Sequence, residues 1–340
     1  MQSITIKETS KILIDEKLNN LDKYIPSSSN VIIITDTNLY RLYAQKFPDV
    51  PVITIKAGEQ SKSLKTIDFI IHRLIELQAD RHSFLLGIGG GVVCDITGFV
   101  ASIFMRGINF GFVSSSLLSQ IDASVGGKNG VNFESYKNLI GTFNQPEFVI
   151  CNTDMLHTLP KQEIKNGIAE MLKHALIADK KMVQFISNNV DKILNLDTDV
   201  LPDLIYDNIK IKATIVDTDE KENGERRKLN FGHTLAHAIE KHSNIAHGEA
   251  VAIGIVFASR ISHLLNYISE NDVNDIIRIL QQFGLPTSTK LDKTQLANAI
   301  LGDKKRNGEN IEFVLLEKIG ESKIKEVKIS DIKQWIYDLC

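Results

Sequence analysis

The chain has 340 residues, 43% of them hydrophobic and 24% charged, enough for about two domains and a core that needs no disulfide or metal staple. Lys and Arg number 39 against 42 for Asp and Glu, so the net charge is -3 and the basic excess of a dedicated nucleic-acid binder is missing, although a local basic pocket is not excluded. No apolar run approaches the roughly 20 residues that span a bilayer, and the start, Met1-Gln2-Ser3-Ile4-Thr5, lacks a signal-peptide pattern. The three distant cysteines, Cys94, Cys151 and Cys340, fit a reducing, cytoplasmic compartment better than a disulfide framework.

The first half alternates in character. The apolar run 31–34 ends in Thr35-Asp36-Thr37-Asn38, a buried strand leaving into a helix cap. Residues 52–55 form a second strand candidate. Apolar residues recur at helical spacing over 63–79. Phe84-Leu85-Leu86 runs into Gly87-Ile88-Gly89-Gly90-Gly91, a strand meeting a glycine turn, and a helical pattern follows over 92–105. Residues 110–113 suit another strand. Strands alternating with helices predict a mostly parallel sheet covered on both faces. From residue 160 the pattern is mostly helical, over 163–178, 201–218, 228–241 and 248–265, with a brief strand signal at 311–316. A domain boundary is therefore expected near residues 150–160.

Four regions carry residue types suited to chemistry. The turn Gly87 to Gly91, with Val92, Val93, Cys94 and Asp95 behind it, lets backbone N–H groups face a phosphate at a helix N-terminus. Val92 stands where a G-x-G-x-x-G pattern needs its last glycine, so a pyrophosphate site and a tight turn without ligand both remain open. The run Asp122-Ala123-Ser124-Val125-Gly126-Gly127-Lys128-Asn129 looks like a P-loop. However, Asp122 replaces the first glycine and Asn129 the magnesium-binding hydroxyl, which argues against an ATPase. Lys137-Asn138, before Leu139-Ile140-Gly141, suits either an anion contact or a solvated loop.

The third region holds His233 and His237, at i and i+4 on one helix face, followed by His247-Gly248-Glu249. With His242, four of the nine histidines fall within 15 residues. Spacing alone suggests His233 and His237 as paired zinc ligands, with structural histidines as the alternative. In the fourth region Glu170 and Lys173 share a helix face at i and i+3, which by itself suits a surface ion pair. The basic turn Asp303-Lys304-Lys305-Arg306 suits a solvated face.

Together these motifs are recognisable. The blocks 58–63, 89–95, 120–130, 137–141, 167–173, 226–240, 247–249 and 303–305 resemble, in order and spacing, the dehydroquinate synthases of the sugar phosphate cyclase family over nearly the whole chain. The resemblance implies a dehydroquinate synthase-like fold. Residues 1–155 would form an NAD-binding α/β domain with a mostly parallel sheet, and residues 156–340 an all-helical metal- and substrate-binding domain. It implies NAD and one divalent metal, zinc or else cobalt, and a homodimer with no nucleic-acid or membrane partner.

By the same resemblance Glu170, His233 and His247 would hold the metal, which moves His237 from the metal to the substrate. Asp36, Asn38, Glu59, Lys62, Gly90, Gly91, Val92, Val93, Asp95, Ser115, Ser116, Lys128, Lys137 and Thr158 would line the NAD site. Asp122, Lys128, Lys137, Asn138, Lys173, Arg226, Asn230, His237 and Lys304 would surround the substrate, 3-deoxy-D-arabino-heptulosonate 7-phosphate. The implied reaction is a transient oxidation, phosphate elimination, re-reduction, ring opening and aldol closure that yields 3-dehydroquinate. The alternatives are a cyclase for another sugar phosphate and a metal-dependent polyol dehydrogenase. Three departures from the family pattern stand out: Cys94 for a glycine, expected beside the pyrophosphate path; Ala236 for a glycine; and Ser114-Ser115-Ser116 for a Pro-Thr-Thr-like segment.

Overall fold

The computed structural model describes residues 2–26, 29–134, 136–301, 306–307 and 310–340. They gather into two compact units. One holds residues 1–159 and 201–221, the other residues 160–200 and 222–340. The division along the chain therefore falls four residues beyond the expected 155/156 boundary, and one helix of the second half returns to the first unit.

In chain order the first unit contains strands β1 (Gln2–Ile6), β2 (Ser10–Ile14) and β3 (Val31–Asp36), helix α1 (Thr37–Tyr43), β4 (Val52–Ile55), α2 (Leu64–Glu76), β5 (Phe84–Gly89), α3 (Gly91–Ile103), β6 (Asn109–Ser114), β7 (Lys128–Phe133), β8 (Tyr136–Phe143) and β9 (Phe148–Cys151). Seven strands form one sheet in the order β1-β2-β9-β6-β5-β3-β4. All neighbours are parallel except the β1–β2 hairpin at one edge. Strands β3, β5, β6 and β9 are buried nearly throughout, which is why they read as apolar runs rather than as alternating patterns. Chain order reverses between β3 and β5, and the carboxyl ends of strands at such a switch are where open α/β sheets bind ligands. Strands β7 and β8 form a separate antiparallel hairpin that the sequence did not announce. Most of β8 is exposed, so no buried face stamps a pattern on it.

The chain continues through α4 (Lys161–Ala178), α5 (Lys180–Asn188) and α6 (Val190–Leu194) in the second unit, then α7 (Leu201–Thr218), which packs in the first unit against β1, β2 and the turn 119–123. The second unit resumes with α8 (His233–His242), α9 (His247–Leu264), α10 (Glu270–Gln282), α11 (Lys293–Leu301), β10 (Arg306–Asn307), β11 (Asn310–Lys318), β12 (Glu321–Lys328) and α12 (Ile329–Leu339). This unit is helix-rich rather than all-helical, because β10, β11 and β12 form an antiparallel sheet. Only β11 is apolar enough to show in the sequence. The predicted helix over 228–241 is in fact a 3-10 turn (Glu225–Asn230) followed by α8, broken where Gly232 adopts a left-handed φ of 79°. No helix among the described residues is long and apolar enough to cross a membrane.

Candidate active site

In the second unit three side chains from three helices converge. Glu170 lies in the middle of α4, while His233 and His247 open α8 and α9. Two glycine contacts bring the helix starts together. A Cβ on Gly254 of α9 would lie 2.0 Å from the Gly232 carbonyl oxygen, so only glycine lets α9 approach the start of α8. A Cβ on Gly248 would lie 2.5 Å from the Asn166 Cα, and the Gly248 N–H donates to Asn166 Oδ1 at 2.9 Å. Asn166 sits one turn before Glu170, so this bond sets His247 opposite the carboxylate.

Glu170 Oε1 is 3.1 Å from His247 Nε2 and 3.3 Å from His233 Nε2. The outer ring nitrogens are engaged as well. His233 Nδ1 faces the Phe231 carbonyl oxygen at 3.2 Å, and His247 Nδ1 faces Glu240 Oε1 at 3.0 Å. With each Nδ1 proton donated outward, each Nε2 is turned to the common centre, the arrangement that orients histidines for a metal. The three donor atoms lie within 4.8 Å of one another, and two imidazoles plus one carboxylate suit a catalytic zinc-type ion with a coordination position left open.

Burial and charge agree with that donor set. Glu170 is 0% exposed and Lys173, which pairs with its other oxygen, 1%. The pair is therefore buried, not the surface ion pair that spacing alone suggested. Burial opposes the Glu170 charge, but Lys173 and His233 outweigh it and hold the carboxyl well below its ordinary value. Burial likewise opposes charge on His247, but the bonds to Glu170 and Glu240 prevail and push it up to about 10.

His237 does not join the convergent set. Its ring stands edge-on to His233, with centroids 5.4 Å apart, on the exposed side of α8. The i,i+4 spacing thus gives one member of the cluster and misses the rest, since the other donors come from neighbouring helices. Arg226 is 2% exposed in the 3-10 turn, and Asn230 Nδ2 donates to Glu222 Oε1 at 2.6 Å. Lys304 lies outside the described residues.

In the first unit the expected NAD residues other than Lys128 and Lys137 collect at the carboxyl edge of the parallel strands. Asp36 ends β3 and Asn38 follows it, Glu59 and Lys62 follow β4, Gly90 to Asp95 follow β5, Ser115 and Ser116 follow β6, and Thr158 follows β9. Gly90 caps α3 without a side-chain hydrogen bond, so the first-turn N–H groups meet no capping side chain. Gly91 packs so closely that a Cβ there would meet the Ala123 Cβ at 3.0 Å. Val92 is half-buried and Val93 wholly buried against Gly89. This bare helix start at the strand switch fits a dinucleotide phosphate. Asp36 Oδ1 accepts from the Asn38 and Leu39 N–H groups, and Thr158 Oγ1 meets the Tyr43 hydroxyl at 2.9 Å.

Lys62 is 5% exposed and donates to Asp95 Oδ2 and Asn138 Oδ1, each at 2.5 Å. Burial pushes the Asp95 carboxyl up, and Lys62 only partly offsets this. Lys128 and Lys137 are exposed on the β7–β8 hairpin. Asn129 is structural: its Nδ2 donates to the Gly127 and Asn144 carbonyls, 2.9 Å each, and its side chain fills the space that Gly98 leaves on α3. Cys94 does not point along the expected phosphate path. It is buried with Sγ toward the Gly89 carbonyl, and burial pushes its thiol well up. Ser114 and Ser116 both bond to Ser119 Oγ, a buried hydroxyl knot within the segment that departs from the family pattern.

Two functional candidates escaped the sequence reading. Glu240 lies seven residues before His247, across a turn. Lys212 pairs with the Asp122 carboxylate and donates to the Asp122 carbonyl. Its signal was present, since Lys212 sits among Ile205, Ile209 and Val216 on the buried face of α7.

Residues 52–166 match the 3-dehydroquinate synthase N-terminal family model, and residues 167–306 the 3-dehydroquinate synthase C-terminal model. A 3-dehydroquinate synthase of Acetivibrio thermocellus is 44% identical, covering 91% of this chain and 90% of its own. One from Ruminiclostridium cellulolyticum is 40% identical, covering 99% and 98%. Among solved structures, a 2-deoxy-scyllo-inosose synthase complexed with carbaglucose-6-phosphate, NAD+ and Co2+ superposes with a TM-score of 0.86 at 26% identity, covering 99% of this chain and 100% of that one. Likeness at these levels, running from the strand switch through the histidine cluster, means that the chain belongs to the 3-dehydroquinate synthase family.

Proposed function

We propose that the protein converts 3-deoxy-D-arabino-heptulosonate 7-phosphate to 3-dehydroquinate and inorganic phosphate, a carbon–oxygen cleavage followed by carbocycle closure in the shikimate pathway. The observation that carries this reading is the Glu170–His233–His247 cluster, with its carboxylate buried and both Nδ1 atoms engaged, in a chain 44% identical to a synthase of that name. Glu170, His233 and His247 would hold the divalent ion, with zinc as our assignment. The edge formed by Asp36, Asn38, Glu59, Lys62, Gly90 to Val93, Asp95, Ser115, Ser116, Lys128, Lys137 and Thr158 would hold NAD.

When bound, NAD supplies a transient hydride acceptor and the metal polarises the substrate hydroxyls, so the sequence ends with no net oxidation. The chain's own residues bind and orient. The Arg226 guanidinium suits two parallel hydrogen bonds to an oxyanion, and Lys128, Lys137, Lys173 and Lys304 add point charges for a carboxylate and a phosphate. Asn138 and Asn230 suit hydroxyls. Asp122, held by Lys212, presents a fixed carboxylate, and His237 would meet the phosphate and the reacting carbons. The proton beside the transiently oxidised carbon would pass to the substrate's own phosphate, which leaves orientation and charge stabilisation as the protein's task. We place the enzyme in the cytoplasm, a reducing compartment that suits three free cysteines, and take it to be a homodimer by family resemblance.

Product analysis tests the reading. Purified protein loaded with NAD and zinc should yield 3-dehydroquinate, identified by NMR, from this substrate. Carbocycle formation only from another sugar phosphate would move the assignment to a sister cyclase.

A further inference from the structure

The β7–β8 hairpin is irregular at one place. Val131 pairs with Ile140 and Phe133 with Tyr136, so Asn132 alone stands against Lys137, Asn138 and Leu139. A bulge of this kind re-aims the residues it contains. Here Asn138 adopts a left-handed conformation, φ 49°, in which asparagine is enriched, and it has no partner in the hairpin ladder to support it.

Asn132 supplies that support from both ends of its amide. Its Oδ1 accepts the Asn138 N–H at 2.8 Å, replacing the lost ladder bond. Its Nδ2 donates to Glu59 Oε1 at 2.8 Å. Its backbone N–H donates to the Lys62 carbonyl at 2.9 Å, beside a parallel bridge to Ser63. Lys62 closes the loop by donating to Asn138 Oδ1.

We infer that Asn132 is a positioning residue that sets the bulge segment Lys137–Asn138 against the segment Glu59–Lys62, so that the sugar phosphate contact and the dinucleotide contact are fixed as one piece. The inference rests on the reading of those four residues as ligand contacts. The asparagine amide can accept from a backbone N–H and donate to a carboxylate at once, which neither Ala nor an ionised Asp can do.

The test compares Asn132→Ala and Asn132→Asp with the native enzyme, loaded with NAD and zinc. The Ala variant loses both arms. KM for 3-deoxy-D-arabino-heptulosonate 7-phosphate should rise and NAD affinity fall, each about tenfold, with a smaller change in kcat. The Asp variant keeps the acceptor for Asn138 but faces the Glu59 carboxylate. KM should recover to within about threefold of the native value while NAD binding stays weak. A role confined to stability would make Asp no better than Ala on KM, and that result overturns the inference, as do native KM and NAD affinity in both variants. Hydrogen exchange at the Asn138 amide reads the clamp without turnover. It should be about tenfold faster in the Ala variant, and an unchanged rate overturns the inference. Native protein inert toward the substrate would refute the proposed activity, and the exchange rate would still decide the clamp.

Discussion

Glu170, His233 and His247 are held by helix backbones that meet through glycine, whereas Lys62, Asp95 and Asn138 are held by side-chain bonds around a bulged, largely exposed hairpin. Helix packing is close to all-or-none, since an added Cβ at Gly254 or Gly248 collides with backbone. Side-chain clamps can be weakened one bond at a time. The comparison teaches that the two proposed ligand regions should fail differently: the proposed metal cluster abruptly, with loss of the ion, and the proposed nucleotide edge by degrees.

The largest effect should come from His247→Ala, which removes a convergent donor. We expect loss of bound metal and of all turnover, read by elemental analysis beside the assay; undiminished zinc in the variant would refute the ligand assignment. Next is Gly254→Val, which drives a side chain into the Gly232 carbonyl. It should cost about 3 kcal/mol in urea unfolding and release the metal, although it touches no donor. Glu240→Gln keeps an acceptor for His247 Nδ1 but removes the charge. Zinc affinity, measured by chelator competition, should fall about 10- to 100-fold while the fold is retained.

A pH series sharpens the same contrast in metal-free protein. His247 is raised from 6.5 to about 10, so its contribution to stability is complete below 6.5 and lost as pH rises through about 10. Glu170 is lowered, so its contribution is complete above 4.5 and lost as pH falls through the depressed value. A metal must displace the His247 proton, so zinc affinity should climb with pH up to about 10, by as much as about tenfold per unit. Cys94→Gly should have the smallest effect. NAD affinity should stay within about twofold, because the thiol faces the Gly89 carbonyl, and denaturant unfolding should show a loss of about 1 kcal/mol from glycine within a helix.

The parts legible in the sequence were those in which local pattern and tertiary role coincide. The run into Gly87–Gly91 is both a strand-to-helix signal and the centre of the sheet's switch point, and α2, α3, α4, α7 and α9 lie close to their periodic segments. Patterns failed where packing decides. His233 and His237 share a helix face, yet His233 finds its counterparts on α4 and α9. Helix α7 has an ordinary amphipathic pattern that says nothing about which unit it joins. Exposed β8 and the polar strand β12 lack the apolar alternation that marks a strand. Cys94 looked like an obstacle because its position in the motif is visible in sequence, whereas the direction of its side chain is not.

The most direct test of the central claim is to follow phosphate release and NADH absorbance together, on protein loaded with NAD and zinc and given 3-deoxy-D-arabino-heptulosonate 7-phosphate. The account predicts steady phosphate release without NADH build-up, abolished by a chelator and restored by zinc. No phosphate release, or NADH accumulating in step with substrate, would contradict it.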